Sequence, residues 1–294
     1  IEGSVTIPGE VTVNSTQEDP VHTHITEVGT SGILDVPYMP IGGSVTIDNP
    51  STDLTIADST YEMNVARGLV AGQYAESRSG LNPDCAQGVA ESIWVAGGIY
   101  PFLSWTAAQK LYVISTSSSD AGQQIYIDGL DVNYNHIYET VTINGTSAVA
   151  TIQNFLRIHT ATIISANTPN AGDVTFRLGN GAGTVVAHIG VGLSITKLSQ
   201  YTVPAGYTAY VLYGDATTFR GGSGNIGSRM QMMVRPYGGT FLAAFVAEVV
   251  NGYYRNDFRI PMKLTEKSDV DIQIIADGNN TQVTCNWQVI LVPN

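Results

Sequence analysis

Asp128, Asp131, Asn133 and Asn135 place four oxygen-bearing side chains within eight residues, a hard-donor cluster of the kind that clasps calcium. The run lacks the central glycine of a calcium-binding helix–loop–helix and lies between strand-like segments. Asn and Asp also populate turns for backbone reasons alone, so a polar hairpin loop is the first reading. His22 and His24 point to one side of an extended segment and would offer three imidazole pairs at a three-fold axis. No third ligand accompanies them, so they read as a polar strand face. His136, His159 and His188 fall in separate strand-like runs with no motif linking them, each expected to have a satisfied ring nitrogen. Glu266, Asp269 and Asp271, interleaved with Lys263 and Lys267, read as a solvated strand edge that discourages wrong pairing. Cys85 and Cys285 match no zinc or redox spacing and read as two inert, unpaired thiols. No Gly-x-Ser-x-Gly elbow, phosphate-binding loop or His-Glu-x-x-His pair occurs. The expectation is therefore a chain that is not an enzyme and needs no cofactor and no metal.

The elements that carry these residues have a period of two. Lys110–Ser115, Gln123–Ile127, His136–Ile143, Asp173–Leu178 and Val185–Val191 are short runs rich in Val, Ile, Thr and Tyr. Asp128-Gly129, Asn133-Tyr134-Asn135, Asn144-Gly145 and Asn180-Gly181 punctuate them as turns. A second set comprises Thr208–Tyr213, Arg229–Arg235, Thr240–Val250, Tyr254–Leu264 and Val270–Ala276. It closes on a hairpin turned by Asp277-Gly278-Asn279-Asn280 into Gln282–Val292. In that last strand Val283, Cys285, Trp287, Val289 and Leu291 share the buried face. The Gly-rich stretch from Gly221 to Gly227 reads as a mobile loop. Helical turns are expected only at Thr60–Tyr74, Thr106–Lys110 and Ala150–Phe155, none with a full apolar stripe.

Gly3-Ser4-Val5-Thr6-Ile7 returns letter for letter as Gly43-Ser44-Val45-Thr46-Ile47. Val11-Thr12-Val13 and Leu54-Thr55-Ile56 follow the two copies. Such short ladders bury too little to hold themselves together. Residues 1–60 therefore read as an extended arm that borrows its core from a neighbour through Val5, Ile7, Val11, Val13, Val45, Ile47, Leu54 and Ile56. The rest divides into residues 61–199 and 200–294, each an antiparallel β-sandwich of jelly-roll type. The fold class is all-β.

Composition agrees with a globular chain: 43% hydrophobic and 13% charged residues, with 31 Gly. Thirteen Lys and Arg against 25 Asp and Glu give a net charge of −12, which argues against a nucleic-acid partner because that affinity needs clustered cations. No segment reaches the roughly 20 apolar residues needed to span a bilayer. Neither a signal peptide nor a membrane anchor is expected. The 15 tyrosines, among them Tyr207, Tyr210, Tyr253 and Tyr254, suit subunit contacts and glycan surfaces alike.

Several segments together resemble a known group. They are Met63–Val70, Ile93-Trp94 with Tyr100-Pro101-Phe102, Gly129–Asn135 followed by Glu139-Thr140-Val141, Tyr201–Gly206, Glu266–Val270 and Trp287–Val292. They are similar to poorly characterised virion structural proteins of tailed bacteriophages, chiefly aquatic ones. The likeness covers about residues 61–294. The arm resembles the Val-Thr-Val repeats of phage fibre and attachment regions. The resemblance brings no assigned active site and implies a place in the virion. The expectation is a structural protein on the outside of the particle, a capsid decoration, head fibre or tail-fibre component. Its partners would be its own copies, three by expectation, and other virion proteins. The alternative is a host-receptor adhesin that binds surface glycan.

Overall fold

The computed structural model describes residues 61–165, 168–220 and 227–294. The eight arm residues expected to drive assembly, His22 and His24, and Gly221 to Ile226 of the Gly-rich stretch lie outside the described residues. Within them the chain is all-β, with one six-residue helix, α1 (Tyr61–Ala66), and a 3-10 turn at Ser118–Asp120. The first strands are β1 (Tyr74–Cys85), β2 (Ala90–Ser92), β3 (Leu111–Ser115), β4 (Gln124–Leu130), β5 (His136–Thr142) and β6 (Val149–Ala150). Then come β7 (Arg157–Ile163), β8 (Val174–Leu178), β9 (Val185–Ile189), β10 (Tyr201–Thr202) and β11 (Tyr207–Phe219). The last five are β12 (Ser228–Arg235), β13 (Leu242–Val249), β14 (Tyr253–Leu264), β15 (Asp269–Ala276) and β16 (Thr281–Pro293). Among the described residues no helix is long and apolar enough to cross a membrane.

The strands form four antiparallel sheets. Sheet one runs β1-β16-β11-β14; sheet two runs β10-β15-β12-β13, with β2 also beside β15. Sheet three runs β6-β3-β8-β9, and sheet four runs β5-β4-β7. Alternation decides which side chains go inside: in β3, Leu111, Val113 and Ser115 are buried while Tyr112 and Ile114 between them are half-exposed. Sheets one and two share one hydrophobic core, to which β16 gives Val283, Trp287 and Val289 and β15 gives Ile272 and Ile274. A second core joins Val113 and Phe176 of sheet three to Ile125, Ile127 and Val141 of sheet four. The face expected for the last strand is the buried one, with Trp287 only 2% exposed and its indole N–H donating to the Ser199 carbonyl at 3.0 Å.

Other expectations differ from what is observed. The division at residues 199 and 200 does not follow the packing, because β1 and β2 pair with β16 and β15, and Cys85 and Ile93 belong to the first core. β1 is hard to read because its sequence is polar and contains Gly80 and Pro83. Gly80 is needed there: a Cβ at that position would lie 2.5 Å from the Ile93 carbonyl oxygen. The closing pair is not a hairpin. β15 lies in sheet two and β16 in sheet one, so the turn at Asp277–Asn280 carries the chain from one sheet to the other. Asp128-Gly129 is no turn either. Both residues are within β4, where glycine lets β7 come close; a Cβ on Gly129 would stand 2.1 Å from the Arg157 carbonyl oxygen. The expected helix at Thr60–Tyr74 stops at Ala66, ahead of Gly68 with its φ of +72°, and those at Thr106–Lys110 and Ala150–Phe155 do not form.

Candidate functional site

Alternation on β1 sets Tyr74, Glu76 and Arg78 on one face, turned toward sheet four, while Ala75 and Ser77 face solvent. Opposite them stand Asp128 of β4, His136 and Tyr138 of β5, and His159 of β7. His159 sits at an irregularity in the ladder: Asp128 pairs with Thr160 and Gly129 with Ile158, so the strand carries an extra residue at His159. A bulge of this kind re-aims a side chain. The His136 and His159 rings lie edge to face with centroids 5.6 Å apart, and the Tyr201 ring is 4.4 Å from that of His159. The separate-strand histidines of the sequence are thus neighbours. Glu76, His136 and His159 each offer a donor atom within 4.8 Å of the others'.

The hydrogen bonds fix the tautomers. His159 Nε2 lies 2.9 Å from the Thr202 carbonyl oxygen, an acceptor only, so that nitrogen carries the proton. Its Nδ1 is then a bare lone pair, buried and without a hydrogen-bond partner. Burial, with the Arg78 guanidinium adding to it, holds the His159 pKa well below the ordinary value and the ring neutral. His136 Nδ1 stands 3.4 Å from the Asp128 carboxylate and Nε2 2.9 Å from the Tyr74 hydroxyl. Burial raises the Glu76 carboxyl, the Arg78 charge 3.8 Å away opposes the rise, and Oε2 makes no hydrogen bond. Arg78 itself donates to the His159 backbone carbonyl and lies over the Tyr201 ring.

The calcium quartet is not brought together. Asp131 Oδ1 accepts the backbone N–H of Asn133 at 2.8 Å and of Asn135 at 2.9 Å, so its carboxylate is consumed in closing the β4–β5 loop, while Asp128 turns to His136. Glu266 accepts the Gly206 N–H at the surface, but Asp269 and Asp271 are buried, each 2% exposed, rather than lining a solvated edge. Their side chains leave β15 on the face that meets Arg157, Arg235, Ser92 and Gln200, so both faces of this strand are covered. His188 has the satisfied ring nitrogen expected of it, Nε2 standing 3.0 Å from the Asp173 carboxylate. Cys85 and Cys285 are free and buried, with burial pushing both thiols up to about 12. Glu76 and Arg78 are the site residues that sequence reasoning missed. The available signal was a polar residue at every second position from Tyr74 to Arg78, which marks one strand face meeting polar neighbours.

A second feature is a pair of open edges. Among the described residues β14 ends sheet one and β13 ends sheet two, each pairing on one side only. Ile260 is 86% exposed and Leu242 60%, with Val246, Val250 and Tyr253 also outside. Phe245 and Phe258, with ring centroids 5.5 Å apart, connect the two strands at the margin of the first core.

No protein-family model matches this chain, and no curated protein does. Among solved structures it is similar to the crystal structure of the infectious bursal disease virus VP2 subviral particle. The identity is 9%, over 75% of this chain and 72% of that one, with a TM-score of 0.22. The structure of the infectious bursal disease virus Gx strain gives 9% identity over 76% and 73%, again with a TM-score of 0.22. A likeness this slight carries no argument about what the chain does.

Proposed function

We propose that this chain is a non-enzymatic structural protein on the exterior of a tailed-phage particle, assembling with its own copies, three in number, and with other virion proteins. Neither nucleic acid nor membrane is a partner in this reading. The four sheets are read as two β-sandwiches, one around each core, with residues 1–60 as the attaching arm. The observation that supports assembly is the pair of open edges. An edge strand with unpaired backbone and exposed apolar side chains is a template for another chain, and monomers blunt such edges with charge. β13 is the less guarded of the two: its exposed Leu242 and Val246 lie in a run whose one charge is Glu248, whereas β14 carries Arg259 and Pro261 on either side of its exposed Ile260.

Light scattering across a size-exclusion peak tests this. The expected species is an oligomer, and the double substitution Leu242→Lys with Ile260→Lys should shift it toward smaller forms. A monomer of 31.3 kDa at micromolar concentration would sink the assembly reading. Labelling intact particles with an antibody against the chain should place it outside. A glycan-binding role is favoured by one observation: Tyr126 and Tyr138 are stacked at 5.8 Å, His136 stacks on Tyr138 at 6.0 Å, and Tyr138 is exposed. A surface cluster of aromatic rings suits sugar rings, which pack against an outer ring face left open to solvent. A soluble-oligosaccharide screen in which Tyr138→Ala abolishes binding would favour that reading.

A further inference from the structure

We infer that Glu76, His136 and His159 form a binding site for a divalent transition metal of the zinc type, which ties β1 of the first core to β5 and β7 of the second. Two imidazoles and a carboxylate are a donor set for zinc and its neighbours, whereas calcium and magnesium take oxygen ligands throughout. The three donor atoms already lie within 4.8 Å of one another. Two ligands bound at about 2.0–2.2 Å in a tetrahedron stand roughly 3.4 Å apart, so closure asks for movements of about 1 Å. Glu76 and His136 are only partly buried and have the freedom to make them.

Three further observations point the same way. First, both imidazoles are oriented as metal-bound imidazoles are, with the distal nitrogen held by a carbonyl in one case and a carboxylate in the other. That leaves His159 Nδ1 and His136 Nε2 as the coordinating atoms. Second, His159 Nδ1 and Glu76 Oε2 are buried acceptors that make no hydrogen bond, the Arg78 guanidinium standing 3.8 Å from the carboxylate. Buried acceptors in this state are costly unless something satisfies them, and a cation satisfies both at once. Third, the ladder irregularity at His159 turns this ring into the junction. His159 is the fully buried floor of the site, and the partly exposed Glu76 and His136 are its entrance. Binding displaces the Tyr74 hydroxyl from His136 Nε2 and places it, or a water, at the fourth position. Arg78 is the opposing group: its charge now partners Glu76 loosely, and the metal takes its place as the counter-ion.

The test uses the full chain, stripped with a chelator and titrated with zinc chloride in a non-coordinating buffer. Isothermal titration should give one site per chain, and the melting temperature should rise with added zinc. Cobalt substitution should give the visible absorption bands of a four-coordinate site. Glu76→Gln and His136→Gln should each weaken binding at least tenfold. They replace partly exposed residues, so their melting without metal checks that the fold is retained. Substituting both His22 and His24 by Ala should leave the affinity unchanged, which separates this site from the arm. Absence of zinc binding by the folded chain, or equal binding by wild type and Glu76→Gln, would overturn the proposal. So would loss of the site in the arm variant alone.

Discussion

Asp269 gathers two arginines and a threonine hydroxyl around one buried carboxylate. Arg157 Nε donates to Oδ1 at 3.1 Å, Arg235 Nε to Oδ2 at 2.9 Å, and the Thr202 hydroxyl to Oδ1 at 2.5 Å. Arg157 belongs to β7 and is 3% exposed, so the pair ties the second core to β15 of the first. Removing one partner of a buried ion pair leaves an uncompensated charge, at a cost of about 3–5 kcal/mol. Asp269→Ala should lower stability to urea by that amount. Two residues on, Asp271 accepts from Ser92, Gln200 and Gln273, yet burial outweighs these bonds and pushes its pKa up to about 6. An acid whose folded value lies above its unfolded value of about 4 holds its proton longer in the native state. Its contribution is full below about pH 4 and is lost as pH rises through about 6, a change on the order of 3 kcal/mol. Melting profiles between those pH values should slope downward in the wild type and be flatter in Asp271→Asn. At Trp287, truncation to Ala should cost about 3–5 kcal/mol, and Gln288→Ala on the exposed face should be near neutral. Equal melting shifts for the two would contradict the register of β16.

At the scale of elements, the contact of β4 with β7 depends on Gly129, whose missing Cβ makes room for the Arg157 backbone. Gly129→Ala should therefore destabilise the chain by about 1–3 kcal/mol through overpacking, whereas a glycine in a true turn would tolerate the change better. Thermal unfolding compares it with Ala at Gly98, where a Cβ meets nothing but φ is +66°, a purely backbone cost. Strands with regular apolar alternation, such as β3, β8, β12 and β16, were legible in the sequence because one face alone is buried. β1 was not legible, since its inward side carries Glu76 and Arg78, and β7 was legible only as a strand around His159 without bounds, because Arg157 and His159 break the apolar pattern. The same irregularities conceal the candidate site. His136 and His159 are visible as types in the sequence, but their meeting depends on β5 and β7 flanking β4, which spacing does not reveal. The carboxylates of β15 look solvated because a period of two cannot tell a strand covered on both faces from an edge.

For the whole molecule, the proposed division of labour gives the arm the task of attachment. A chain beginning near Tyr61 should keep its β circular-dichroism signal and stay soluble, because both hydrophobic cores lie within residues 65–291. It should fail to co-sediment with particles lacking the protein, while the full chain does so. Equal co-sedimentation would move the anchoring role to the sheets. The order of sheet one has a different kind of consequence. Its second strand in space is the last in sequence, and β16 bridges β1 to β11 by pairing Gly80 and Ala216 with Cys285. Until β16 leaves the ribosome, β1 has no partner among the described strands of its sheet, and β11 is paired on one side only. Contacts this distant in sequence form slowly. A nascent chain arrested before Thr281 should remain protease-sensitive around β1 and gain protection once synthesis carries β16 clear of the ribosome. Synthesis, not just sequence, then sets the moment at which sheet one is complete.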